Sequence, residues 1–137
     1  MDYLKNYING NYCDATSGRW IDNYNPSDGS VYAQIPDSSK QDVTNAYTAA
    51  QAAFPEWSNT TIEIRSKILL KIADLIQENI DILAQAEAKD NGKPLSLATA
   101  VDIPRASANF RFFGNGITQY ASPVSYTHLT LPTSFEV

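Results

Sequence analysis

Apolar and polar positions change their period once along the chain, between Pro36 and Ser39. Before that point they alternate by two. Val31, Ala33 and Ile35 interleave with Tyr32 and Gln34, as in a strand with one buried face. Tyr7-Ile8 and Tyr12-Cys13 flank Asn9-Gly10-Asn11, and Asn-Gly is a strong hairpin signal because both residues tolerate positive φ. Trp20-Ile21 leads towards the turn Asn25-Pro26-Ser27-Asp28-Gly29, where Pro26 pre-sets φ and Asp28-Gly29 suits a tight return. Pro36 closes the segment. The pattern predicts a β-meander at the front of the chain.

Beyond Ser39 the spacing becomes three and four. Ser39 is expected to cap a helix whose apolar face is Val43, Ala46, Tyr47, Ala50 and Phe54. Pro55 should stop it, because the residue before a proline is pushed out of the α region. Thr60 and Glu63 have the spacing of a capping box for a second, long helix. Its stripe is Ile68, Ile72, Leu75, Ile76, Leu83 and Ala84; it is expected to end near Asp90, with Gly92 as its left-handed cap and Pro94 blocking continuation. A third helical segment is predicted over 95–120, where Pro104 either starts the second half or kinks the helix. Phe110 and Phe113 share a face with Ala106, so that half should pack against a neighbour. The expected order is therefore a meander followed by three helical segments.

Composition narrows the function classes more than the fold. The 137 residues suit one domain with a modest core. A net charge of −5 and the absence of any basic run give a nucleic-acid partner no support. The apolar stretches are far shorter than the roughly 20 residues that span a bilayer, and MDYLKNYING lacks the apolar centre of a signal peptide. Cys13, the single cysteine, has no internal partner, which fits a reducing compartment and a cytoplasmic protein.

Chemistry-bearing motifs are sparse. Cys13 stands at the end of the first hairpin without a basic neighbour, so it reads as a small half-buried residue rather than a nucleophile. NGKP at 91–94 lacks both the preceding glycine and the following Ser/Thr of a phosphate loop, which favours a helix cap. No G-x-G-x-x-G follows a strand. Glu87 and Asp90 read as a solvated helix face, and His128, the only histidine, falls in the tail 123–137. That tail, PVSYTHLTLPTSFEV, has one charge and a β-prone run broken by Pro132. An edge strand or a loose terminus would account for it; so would sequence foreign to the rest of the chain.

Four blocks in order carry a family resemblance: YING at 7–10, NYNPSDGSVYAQIP at 23–36, AAQAAFPEWS at 49–58, and IRSKILLKIADLIQENIDILAQAEAKDNGKPL at 64–95. Together they resemble the start of an aldehyde dehydrogenase. VDIPRASANFRFF at 101–113 is most similar to the subgroup acting on 2-aminomuconic or 2-hydroxymuconic semialdehyde. The resemblance implies an α/β fold with a Rossmann-like cofactor domain, a catalytic domain and an oligomerisation arm. Residues 1–122 would form the N-terminal part of the cofactor-binding domain, and the tail 123–137 resembles nothing in the family. The implied enzyme oxidises an aldehyde to a carboxylic acid with NAD or NADP and is a homo-oligomer. Its cysteine nucleophile, its general-base glutamate and its cofactor-binding residues all match motifs beyond this chain, so the 137 residues alone are expected to be inactive.

The resemblance also assigns three residues here. Arg105 matches a position from which a side chain enters the substrate tunnel, where a guanidinium fork would hold a muconic carboxylate; a solvated or ion-paired arginine is the competing account. Tyr24, through its backbone carbonyl, and Asp90 match two oxygen ligands of a structural monovalent cation. A different class of function also stays open: a non-catalytic helical module that binds a partner or a full-length dehydrogenase. Its support is the apolar surface of the helices over 39–54 and 60–90, which would need a sheet to cover it.

Overall fold

The computed structural model describes residues 2–119. Strands β1 (Asp2–Tyr3), β2 (Asn6–Ile8), β3 (Asn11–Cys13), β4 (Trp20–Tyr24) and β5 (Val31–Pro36) come first, as expected. They are divided between two sheets rather than strung into one meander. β2 and β3 form an antiparallel hairpin, closed by Asn9 at φ 51° and Gly10 at φ 76°. β4 and β5 pair antiparallel with an irregularity at Asn23/Tyr24, and β1 adds to the far edge of β5 in parallel register, Asp2 opposite Ala33. A strand of two residues leaves no period to detect, which is why β1 is invisible in the sequence. The β4–β5 turn forms at Asn25–Gly29: Asn25 Oδ1 accepts from the Ser27 N–H and hydroxyl, and Gly29, at φ 72°, donates to the Asn25 carbonyl.

Helix α1 spans Lys40–Ser58 and passes through Pro55 instead of stopping there. Proline removes one helical N–H and crowds the carbonyl of Gln51. The surrounding residues are exposed and only one turn remains, so the freed carbonyl is open to solvent and the break is not forced. That last turn is closed by side chains: Asn59 Nδ2 and the Ser58 hydroxyl both donate to the Pro55 carbonyl. Thr60 donates to the Trp57 carbonyl and belongs to this ending; the cap of the next helix is Thr61, which accepts from the Ile64 N–H. The long second helix is in fact two, α2 (Ile62–Glu78) and α3 (Ile80–Asn91), broken at Asn79. The Asn79 amide returns to the Leu75 carbonyl and its backbone leaves the helical region, an example of asparagine competing with helix bonds. Gly92 caps α3 in the left-handed region at φ 76°, as predicted.

The third helical segment begins with a single turn, α4 (Leu95–Leu97), followed by a π-helical stretch over Ala98–Asp102 and then α5 (Ile103–Gly116). Pro104 sits in the first turn of α5, so it stands at the start of the second half, on a backbone already helical at Asp102 and Ile103. α5 packs against α2, as expected, although Phe113 stands off the contact. The contact face holds Ser107 and Gly114: Ser107 donates to the Ala73 carbonyl, and Ser66 of α2 donates to the Gly114 carbonyl. Phe113 is 64% exposed. The buried apolar residues are Ala15, Ala33, Ala73, Ala84 and Ala98, and among the described residues no large side chain is fully buried. The predicted apolar face of α1 is likewise open, with Val43 and Tyr47 each 66% exposed. The tail 123–137, with His128, lies outside the described residues.

Candidate functional site

Two polar fastenings tie strands to helices. At the start of α1, Ser39 and Asp42 form a reciprocal capping box. Asp42 is 5% exposed; its carboxylate accepts from the Ser39 and Thr16 N–H groups and from both their hydroxyls. The Ser39 backbone bond, then the Thr16 one, hold its carboxyl down at about pH 2. The S-x-x-D spacing was the available signal for this residue.

The second fastening lies at the end of α3. Asp90 Oδ1 accepts from the Tyr32 hydroxyl at 2.6 Å and from Asn23 Nδ2 at 2.9 Å, joining α3 to β4 and β5. The Tyr32 bond, then the Asn23 bond, lower the Asp90 pKa. The same bond raises the Tyr32 hydroxyl to about 12, and the Lys89 ammonium lies 4.5 Å from the centre of the Tyr32 ring. One residue further along β4 is Tyr24, and Pro26 of the turn touches Gly92, so the two chain segments expected to share a cation do approach each other. The donor set is right in kind, since oxygen ligands suit a hard cation, but short in number. One Asp90 oxygen already takes two hydrogen bonds, and no group of three metal-ligating side chains occurs among the described residues.

Next to this lies an open cleft of about 380 Å³, lined by Asn25, Ser27, Lys89, Gly92, Lys93 and Leu95 among others. Lys93 Nζ leaves the cleft floor to bond Asp102 Oδ2 at 2.9 Å, with Glu87 further off at 3.8 Å. The Asp102 bond raises the Lys93 pKa, while the charge of Arg105 works the other way. Arg105 itself is exposed, in the first turn of α5, and among the described residues it makes no ion pair or side-chain hydrogen bond. Arg105 and Asp90 belong to different surroundings and share no contact. Glu87 and Asp90 also go separate ways, one towards Asn91 and Lys93, the other towards the sheet. Cys13 is half-buried in β3. The pairings of Asp90 and Lys93 were not readable beforehand, because their partners lie on two distant strands and at the end of a π-helical stretch.

Among the described residues no helix is long and apolar enough to cross a membrane. The sequence profile of the aldehyde dehydrogenase family matches residues 12–133. The chain is 44% identical over 119 residues to a 2-aminomuconic semialdehyde dehydrogenase of Bos taurus, covering 87% of this chain and 24% of that protein. The human protein of that name is 43% identical over the same length. In structure it is similar to PnpE from Pseudomonas sp. WBC-3, with a TM-score of 0.83 at 39% identity, covering 87% of this chain and 24% of that one. It is also similar to the NAD+ complex of a Bacillus cereus aldehyde dehydrogenase, with a TM-score of 0.84 at 34% identity, covering 88% of this chain and 25% of that one. The chain thus spans about a quarter of the length of the relatives it matches. An order of short strands then helices, a capped DNGKP turn meeting the NPS turn, and a match over most of its residues place it in one group: the chain belongs to the aldehyde dehydrogenase family.

Proposed function

We propose that this segment serves an oxidoreductase that converts an aldehyde to a carboxylic acid with NAD(P), and that Arg105 grips a carboxylate of the substrate. The observation that carries the second half is an exposed guanidinium with no protein partner among the described residues, on the helix where the family resemblance expects a substrate contact. A planar fork with parallel N–H donors suits a carboxylate better than a point charge does. Relatives named for a 2-aminomuconic semialdehyde, a substrate that bears such a group, support the same choice. The nicotinamide cofactor, when bound, accepts the hydride. This chain's part is to seat and orient the substrate. Tyr24 and Asp90 would contribute two oxygen ligands to a structural monovalent cation between turn and helix.

A chimera tests the reading: residues 12–119 replace the matching segment of the Pseudomonas relative, with and without Arg105→Ala. Loss of a charge-assisted hydrogen bond is worth roughly 1.5–3 kcal/mol. Hence kcat/KM for an acidic semialdehyde should fall about ten- to hundredfold, and for a neutral aldehyde much less. Equal loss on both substrates would sink the assignment.

A second reading has its own observation. Val43, Tyr47 and Phe54 leave the α1 face open, which is what a non-catalytic module that docks on a partner or on a full-length dehydrogenase would show. A soluble, protease-resistant monomer in size exclusion would favour the module; aggregation would favour a segment of the enzyme.

A further inference from the structure

On any helix, a carboxylate three residues ahead of an arginine is its nearest ready partner. Asp102 and Arg105 have that spacing, and the backbone at Asp102 is helical at φ −68°, ψ −51°. Yet the Asp102 carboxylate is turned away, bonded at 2.9 Å to Lys93 Nζ from the turn after α3. We propose that Lys93 keeps Asp102 occupied and thereby leaves the Arg105 guanidinium free for an anionic ligand. This rests on the assignment of Arg105 to a carboxylate and names the device that keeps it available.

Three features converge on the device. Gly92 and Pro94 bracket Lys93 in a turn of defined backbone, which fixes where its side chain sets out towards Asp102. The π-helical stretch Ala98–Asp102 adds a residue to the turn ahead of α5 and re-aims Asp102 towards that turn. The Arg105 charge lies near enough to oppose that of Lys93, and of the two cations only Lys93 is bonded to Asp102. The Asp102 side chain is 25% exposed and that of Lys93 42%, which makes the pair adjustable rather than locked. Lys93 is a positioning residue here; it does not touch the ligand.

The test uses the whole chain and two readouts. The first is the Arg105 Nε–H resonance in nuclear magnetic resonance, identified by its loss in Arg105→Lys. In Lys93→Met the freed Asp102 should take Arg105, shifting this resonance and slowing its solvent exchange; Lys93→Met/Asp102→Asn should return it to the wild-type position. An unmoved resonance in Lys93→Met overturns the proposal whatever Arg105 binds. The second readout is a glutarate titration. Exposed ion pairs are worth up to about 1 kcal/mol, so Lys93→Met should weaken glutarate binding by at most about fivefold. The double variant should recover that loss, and Arg105→Met should abolish binding. If glutarate fails to bind the wild type, the carboxylate role of Arg105 is lost, while the resonance still decides the exchange of partners. If Lys93→Met and the double variant bind equally weakly, Lys93 itself contacts the anion and the device is refuted.

Discussion

Gly92 and Gly10 share a φ of 76°, but only one of them has a neighbour to hit. A Cβ on Gly92 would lie 3.0 Å from Pro26 Cβ, whereas nothing stands within 4 Å of one on Gly10. The left-handed backbone alone costs an alanine roughly 1–2 kcal/mol. Gly10→Ala should therefore lose about that much, and Gly92→Ala more, as read from urea midpoints. Equal losses would mean that the Pro26 contact has no weight. Asp42 gives a second residue-scale expectation, in pH. Its folded pKa is lowered to about 2 from an ordinary 3.8. The stability it contributes is fully present above the unfolded value and is lost as pH falls through the folded one. Wild type should outlast Asp42→Asn at neutral pH, and the gap should close between pH 3.8 and 2. A gap that stays constant over that window would show that the carboxylate's charge is not what the cap needs.

At the scale of elements, the helices were legible where a single residue type dictates the backbone and illegible where tertiary packing does. Ser39 as a cap and Gly92 as an end could be read from the sequence, because each acts through its own φ or its own side chain, while Pro104 was narrowed only to a start or a kink. Pro55 misled because the restriction on the residue before it is a preference rather than a bar, and the last turn is exposed enough to carry the lost bond. Asn79 gave no warning, since its break depends on one side-chain bond to Leu75. That α5 packs on a neighbour was legible, but the centre of the contact was not: the helices meet over Ser107, Gly114 and Ala73, where small residues let backbones approach, while Phe113 stays exposed. That close approach is testable. A Cβ on Gly114 would come within 3.1 Å of Leu70 Cδ2 and 3.2 Å of Leu69 Cβ. Gly114→Val, with two further methyls to place, should destabilise by about 1–3 kcal/mol through overpacking. An unchanged or raised Tm would mean that α2 and α5 are free to separate.

Across the whole molecule, strands and helices meet through polar bonds and a turn contact more than through a shared core. Among the described residues no large apolar side chain is fully buried, and the buried apolar positions are all alanines. The candidate site follows from this construction. Asp90 could be singled out by resemblance, but its role in holding β4 and β5 to α3 needed the positions of Asn23 and Tyr32, which are 67 and 58 residues away in sequence. Arg105 is the reverse case, a residue identified by resemblance whose surroundings show only that it has no ion pair or side-chain hydrogen bond among the described residues. The junction predicts local rather than global loosening. Tyr32→Phe removes the 2.6 Å bond to Asp90 and the 3.0 Å bond that the hydroxyl accepts from Asn23, and keeps the ring under Lys89 and the bond from Asn23 to Asp90. Asn23 retains a partner, so a net loss of about 1 kcal/mol is expected, mostly from the bond to Asp90. Amides that open with the sheet would then exchange roughly fivefold faster, while those of α2 and α5, held by Ser66 and Ser107, keep their wild-type rates. Hydrogen exchange resolved by segment checks this. Equal acceleration in strands and helices would show that the two parts open as one unit, and the sheet would then have to be regarded as part of the helical body.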